Sequence, residues 1–467
     1  MSRLPLHSLK LPAELRQLHL RFSVASLQSS SRIGDDCGVG EAMLGEDEAG
    51  NTLAVALFAP AWPLGAAPNG IVAYTDVLAP ALERQGVATQ ILAASVCGAV
   101  DENRVSDLDH TFAGRPVWAR LLSRLLHRMS PTLFQRHYLR WSLLEEINRL
   151  VRERGLRLVE MEESFGMAAH VVRHCDVAVV VRVHGPWFLN GAALGVPRDK
   201  AFDLRVDEEG QALRIADAVY APSRDVLDRT IAHYGFPLGF GEVIPYPMPV
   251  VPEGQRWRSD TCEPGRILFV GRFDSHKGGD VMIDAFRQLH ALRPEARLTF
   301  GGPDIGVSGP GGRQMGLRQY IDATIPEPAT RAAIEWPGPL SPPEVSTQRR
   351  RACVTAMASR YETVGYVALE AMAMGCPLVV PDAGGLPEVV QHERNGLLFR
   401  SEDPAGLAAA LARALGNPAF AASLGARALA DCSERYDPDQ IAARTVDLYR
   451  AVLARRALGP RRAEPPS

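Results

Sequence analysis

Apolar positions in this chain fall in short continuous blocks separated by longer stretches with helical spacing. Blocks at 53–58, 88–93, 156–161, 177–183, 266–270, 297–301, 352–358 and 376–380 are bounded by Gly, Pro or polar residues and predict buried strands. Between them, 71–85, 225–233, 280–292, 366–374, 403–415, 418–430 and 437–455 are rich in Ala, Leu and charged residues and predict helices. Gly86 and Gly375 stand where two of these helices must stop. Strand, helix and strand in repeated order predict an α/β protein with parallel sheets.

The most legible stretch is 352–396, ACVTAMASRYETVGYVALEAMAMGCPLVVPDAGGLPEVVQHERNG. It contains one βαβ unit, with Ser359, Arg360, Tyr361, Glu362, Thr363 and Gly365 in the turn between strand and helix. Open α/β sheets place ligands at the carboxyl ends of their strands. The N–H groups of Thr363, Val364 and Gly365 are read as a helix N-terminus facing outward, an anion site. Glu362 and Glu370 are separated by seven residues, which puts them roughly 80° out of line on a helix. Such carboxylates would touch different parts of an elongated ligand; taken alone, they read more readily as solvated helix charges.

Composition narrows the classes. The 467 residues are 46% hydrophobic and 22% charged with a net charge of -3, which suits a soluble globular chain and not a general nucleic-acid binder. Seven dispersed cysteines with no C-x-x-C pair point to a reducing compartment, without disulfides or zinc. No signal peptide shows at the start, and no apolar run reaches the ~18 residues of a membrane span, so the expected location is cytoplasmic. Lysine occurs only at positions 10, 200 and 277. The expected organisation is an extension at 1–51, a first domain at 52–251, a linker at 252–265, a second domain at 266–436, a returning helix at 437–458 and a disordered tail at 459–467.

Further candidates lie at other strand ends. Gly271-Arg272 and Lys277-Gly278-Gly279 follow the 266–270 strand, giving fixed positive charge with close backbone approach, as a diphosphate requires. His184 follows the 177–183 strand, where a structural role is the commoner one. The turn after the first strand carries Gly65 and Asn69-Gly70, which taken alone reads as an ordinary strand-to-helix turn. Residues 115–144 hold six arginines and no acidic residue, with Trp118, Phe134 and Trp141 among the apolar positions. That region reads as helices packed on the sheet, or as a basic amphipathic surface for peripheral membrane contact.

Taken together, these motifs resemble the family-4 retaining glycosyltransferases, the glycosyl transferases group 1. The resemblance rests on the Ser-x-Tyr-Glu lead-in, the E-x7-E pair of Glu362 and Glu370, Leu-Glu-Ala-Met-Ala, Gly-Gly-x-x-Glu, and Gly-Arg-x4-Lys-Gly at Arg272 and Lys277. Paired glycines usual in the first turn are loosened here, and 243–247 (VIPYP) resembles the closing strand of the first domain, with Tyr246 where an Asn is more usual. The resemblance implies a GT-B architecture of two Rossmann-like parallel-sheet domains facing a cleft. It implies transfer of a hexose-type sugar from a nucleotide-diphosphate sugar to a hydroxyl of a glycan, lipid-linked or small-molecule acceptor, with retention. In that scheme Glu362, His184, Arg272 and Lys277 are catalytic; Gly70, Thr363, Val364, Gly365 and Glu370 complete the donor site. No metal and no cofactor besides the donor substrate is expected. A phosphorylase, a sugar-nucleotide epimerase and a silent sugar-nucleotide binder share enough of these features to stand as alternatives.

Overall fold

The computed structural model describes residues 52–64, 70–109, 131–239 and 241–458. The 1–51 extension, Gly65 and Asn69, the 115–130 part of the basic region, and the 459–467 tail lie outside the described residues.

The first sheet contains β1 (Ala54–Ala59), β2 (Ala88–Ala93), β3 (Val105–Asp107), β4 (Leu158–Glu162), β5 (Ala178–Arg182), β6 (Ala218–Ala221) and β7 (Glu242–Val243). Its order is β3-β2-β1-β4-β5-β6-β7, and every pairing is parallel. All five residues of β5 are buried, as a central strand with both faces covered requires. Helices α1 (Gly70–Arg84), α2 (Pro131–Arg154), α3 (Lys200–Ile215) and α4 (Arg224–Tyr234) are among those connecting these strands.

The second sheet takes β8 (Arg266–Val270), β9 (Arg297–Gly301), β12 (Ile334–Gly338), β13 (Val354–Ala356), β14 (Leu378–Pro381) and β15 (Leu397–Phe399). The small β10 (Val307–Ser308) and β11 (Gln314–Met315) form a separate antiparallel ribbon. The six-stranded order is β12-β9-β8-β13-β14-β15, again parallel throughout. Here α5 (Gly279–Leu292) follows β8 and α6 (Tyr366–Ala373) follows β13. The last helix, α7 (Pro438–Leu458), returns to the first sheet: Tyr449 donates to Glu160 of β4 at 2.5 Å, and Arg84 of α1 pairs with Asp439 at 2.7 Å.

In each sheet the strand order reverses beside one strand pair: β1 with β4, and β8 with β13. Crossovers leave in opposite directions from such a pair, so a crevice opens at its carboxyl end. The turns that carry Gly70, Arg272, Lys277 and Glu362 follow three of these four strands, β1, β8 and β13.

Two local expectations change. The segment read as a closing strand at 243–247 pairs only over Glu242–Val243, because Pro245 and Pro247 have no N–H to donate and the Ile244 carbonyl accepts from Arg182 at 2.9 Å. The basic region read as helical to 144 runs on to Arg154 within α2. In α2, Arg140 donates to the Phe165 carbonyl at 3.2 Å and lies 3.6 Å from Glu208, so its guanidinium turns toward protein.

Candidate functional site

The floor of the crevice is built by the turns after β8 and β13. Gly278 has φ +65, and a Cβ there would come 1.9 Å from the Ala358 carbonyl oxygen. Only glycine lets the β8 turn press against the end of β13 in this way. The contact delivers Lys277 to Glu362, with Nζ and Oε1 2.6 Å apart. The Ser359 hydroxyl donates to the same Glu362 oxygen at 2.7 Å. Burial pushes this carboxyl up, but the Lys277 ammonium, His276 and the two hydrogen bonds outweigh it and hold it below the usual range. Glu362 is therefore an ionised, 8% exposed carboxylate.

Asp274 organises the same turn. Its carboxylate accepts from Arg272 Nε at 2.6 Å and from the Lys277 backbone N–H at 2.7 Å. His276 is buried, with Nε2 2.9 Å from the Tyr361 carbonyl oxygen, and burial lowers its pKa. Helix α6 begins at Tyr366, and no side chain caps its N-terminus. The first-turn N–H groups thus start after the Thr363, Val364 and Gly365 set expected from sequence. Val364 is a core residue, 1% exposed, while Thr363, Gly365, Tyr366 and Val367 line the cleft.

The facing wall comes from the first sheet. Gly70 opens α1, and a Cβ there would sit 3.5 Å from the Tyr366 ring. Glu163, just past β4, accepts the backbone N–H of His184 at 2.8 Å and of Gly185 at 2.7 Å. Those bonds fix the turn that presents His184. Burial, and then the charge of Arg182, hold His184 well below its ordinary pKa, so the ring is neutral. Glu162, Glu163 and Glu209 lie close together, and burial pushes each up to about 7. Arg205 pairs with Glu209 at 3.0 Å and stacks over Phe165 and Trp187 at 4.0 and 3.8 Å.

Floor and wall enclose a cavity of about 520 Å³. Of the residues selected from sequence, Gly70, His184, Arg272, Lys277, Glu362, Thr363 and Gly365 line it. Val364 and Glu370 are absent from its lining. Glu370 instead accepts from Arg349 Nη2 at 3.0 Å, and Arg349 is 2% exposed. Glu388, in the Gly-Gly-x-x-Glu turn, bridges the two sheets by accepting the N–H groups of Arg224 and Asp225 at 2.8 Å each. Tyr361 donates to Asp225 at 3.0 Å and Ser223 to the Thr363 carbonyl at 2.6 Å across the same junction. Glu163, Trp187, Arg205, Tyr246 and His276 were not selected for the site. The Glu162-Glu163 pair right after an apolar block was a visible signal for the first of these.

One side of the cavity thus offers ammonium, guanidinium and helix N–H groups for an anion. The other offers a neutral imidazole, carboxyl groups and aromatic rings for hydroxyl-rich surface. Among the described residues, no three His, Cys, Asp or Glu side chains are grouped to hold a metal ion.

Comparison with known proteins bears on this geometry. The family described as glycosyl transferases group 1 matches residues 256–431, and glycosyltransferase family 4 matches residues 68–248. A D-inositol 3-phosphate glycosyltransferase of Xylanimonas cellulosilytica is 31% identical over 297 residues, 60% of this chain and 68% of the relative. One of Streptomyces scabiei is 29% identical over 292 residues, 59% of this chain and 63% of that protein, so the chain spans less than two thirds of its length. Among solved structures, sucrose-phosphate synthase from Thermosynechococcus elongatus covers 86% of this chain and all of its own, at 21% identity and a TM-score of 0.64. Anabaena Alr3699/HepE in complex with UDP-glucose covers 85% of this chain and 100% of its own, at 16% identity and a TM-score of 0.59. At those identities the structural likeness is one of fold.

Proposed function

The chain belongs to the group 1 glycosyltransferases of family 4, with the GT-B architecture, and we propose that it transfers a hexose-type sugar from a nucleotide-diphosphate donor with retention. The observation that carries the donor class is the Lys277–Glu362 pair at 2.6 Å beside Arg272 on the cavity floor. A leaving diphosphate develops charge as the anomeric C–O bond breaks, and fixed cations that meet this charge lower the barrier. Arg272 and Lys277 take that role, without a metal ion; each is held in the resting site by a carboxylate, Asp274 or Glu362, that the phosphates would compete with. The UDP-glucose complex of the Anabaena relative favours the same donor class.

In this reading the first-turn N–H groups of α6 and the neutral His184 ring orient the donor, and Glu362 holds sugar hydroxyls beside the developing oxocarbenium. The acceptor hydroxyl attacks from the face the diphosphate leaves. Its oxygen forms the new C–O bond, the bonding pair departs with the diphosphate, and the hydroxyl proton passes to a departing phosphate oxygen. The wall of Glu162, Trp187 and Asn190 is the acceptor side, where a glycan, lipid-linked or small-molecule hydroxyl would enter.

The test is thermal stability of wild type, Lys277→Ala and Arg272→Ala against UDP-, GDP- and ADP-sugars, with EDTA present. A ligand at 100 times its dissociation constant adds ~2.7 kcal/mol. Stabilisation by one nucleotide class in wild type, weakened in both variants, supports the reading. No response to any donor, or a response abolished by EDTA, refutes the donor class or the metal-free site.

A further inference from the structure

His184 reaches the cavity with one ring nitrogen engaged. Nδ1 lies 2.9 Å from the Tyr246 hydroxyl, and the two rings stack with centroids 5.5 Å apart and planes at 20°. Nε2 makes no hydrogen bond to any described residue, and the ring lines the cavity.

Tyr246 is itself held from several sides. It is 4% exposed, the Arg182 guanidinium lies 4.7 Å from its ring centre, and the rings of Tyr74 and Tyr366 stand 5.7 and 5.0 Å away. Arg182 in turn donates to the Ile244 carbonyl at 2.9 Å and lies over Tyr74 and Tyr220 at 4.3 and 4.7 Å. Both tyrosines bond Glu160, the same carboxylate that receives Tyr449 from α7. The phenol is therefore fixed by packing from both ends of the chain.

The direction of the phenol–imidazole bond follows from what surrounds the phenolic oxygen. The Tyr246 hydroxyl makes no hydrogen bond to any other described residue, and the Arg182 guanidinium beside its ring can only donate. A buried phenol needs an acceptor for its proton, and Nδ1 is the one acceptor hydrogen-bonded to it among the described residues, so the phenol donates to Nδ1. An imidazole that accepts at Nδ1 and is neutral carries its proton on Nε2. Protonation of both nitrogens is opposed by the buried Arg182 charge next to the ring.

We propose that Tyr246 is a positioning residue that fixes His184 as the Nε2–H tautomer, so the ring presents one hydrogen-bond donor to a hydroxyl of the transferred sugar. This rests on the nucleotide-sugar reading for the identity of His184's partner, but not for the tautomer. The Glu163 bonds to His184 and Gly185 set the backbone, and the Tyr246 hydroxyl sets the ring.

Tyr246→Phe keeps the ring stack and removes only the hydroxyl. In imidazole ¹⁵N spectra, with His184→Gln used solely to assign the signal, wild type should show His184 protonated on Nε2 and bare on Nδ1. Tyr246→Phe should show a mixture. With the best donor, kcat of Tyr246→Phe should fall on the order of tenfold while KM for the donor moves less than about twofold. An Nδ1–H signal in wild type overturns the positioning role, and this spectrum decides even where the variant fails to fold. A folded Tyr246→Phe with wild-type kcat overturns it too. Wild type that neither binds nor turns over any nucleotide sugar removes the donor reading and the sugar as partner, a failure distinct from the wrong tautomer.

Discussion

Replacing Lys277 with Ala should destabilise the protein, and the loss should grow as pH rises. The ammonium lies 2.6 Å from Glu362, whose side chain is 10% exposed against 26% for Lys277. Removing one partner of a fully buried pair costs about 3–5 kcal/mol. Here the lysine is partly solvated and Glu362 keeps the Ser359 hydroxyl, so about 1–3 kcal/mol is expected near pH 7. In wild type the Glu362 carboxyl is held below its usual range; it contributes stability above the unfolded pKa of about 4.3, lost as pH falls through the folded value. In Lys277→Ala, burial is left as the main influence and raises the folded pKa. That carboxyl then contributes stability below the unfolded pKa and loses it as pH rises through the new folded value. The gap between the two proteins should thus be small near pH 4 and largest above pH 7. Urea or thermal unfolding at steps from pH 4 to 8 reads it, with roughly 1–2 °C expected per kcal/mol for a chain this long. A gap independent of pH, or under about 0.5 kcal/mol at pH 7.5, would refute the claim that the ammonium holds Glu362 ionised.

Gly278→Ala should destabilise severely, since φ is +65 and the new Cβ would meet the Ala358 carbonyl; a soluble variant with a wild-type melting temperature would contradict the packing of the two turns. Glu163→Gln should flatten the pH dependence of stability between about pH 4 and 7. Burial raises its folded pKa to about 7, so wild type loses stability as pH rises through that window, and an unchanged slope in the variant would count against it. Glu388→Gln weakens two bonds to the α4 N-terminus and should cost about 1 kcal/mol, with faster proteolysis at the junction as the companion readout. Glu370→Ala should lower stability even without ligand, because Arg349 is left buried without its carboxylate; a variant altered only in donor KM would return Glu370 to a purely ligand-facing role.

The strands that set the frame were legible because parallel strands covered on both faces need continuous apolar runs. Ala88–Ala93, Arg266–Val270 and Arg297–Gly301 start and stop where their sequence blocks do. Glycines marked the turns, and Arg272, Lys277 and Glu362 stood out because charged residues directly after such blocks fall at strand carboxyl ends. Helix register within one element was also local information, which is why α6 was readable to within a residue at each end.

Facing partners were not local. That Lys277 meets Glu362 rather than solvent depends on Gly278 closing two turns 85 positions apart. That Glu370 turns to Arg349, and Glu388 to the start of α4, depends on which helix packs beside each carboxylate, and E-x7-E spacing carries no information about that. The strand expected at 243–247 failed for a related reason: its carbonyl found a buried guanidinium, and its prolines had nothing to offer a ladder. Local pattern determined the sheets and the strand ends that carry charge, because burial and backbone geometry act over a few residues. Only the tertiary structure decided the charge pairs, the neutral His184 and the two walls of the cavity, because electrostatics and desolvation act between groups that the chain brings together from far apart.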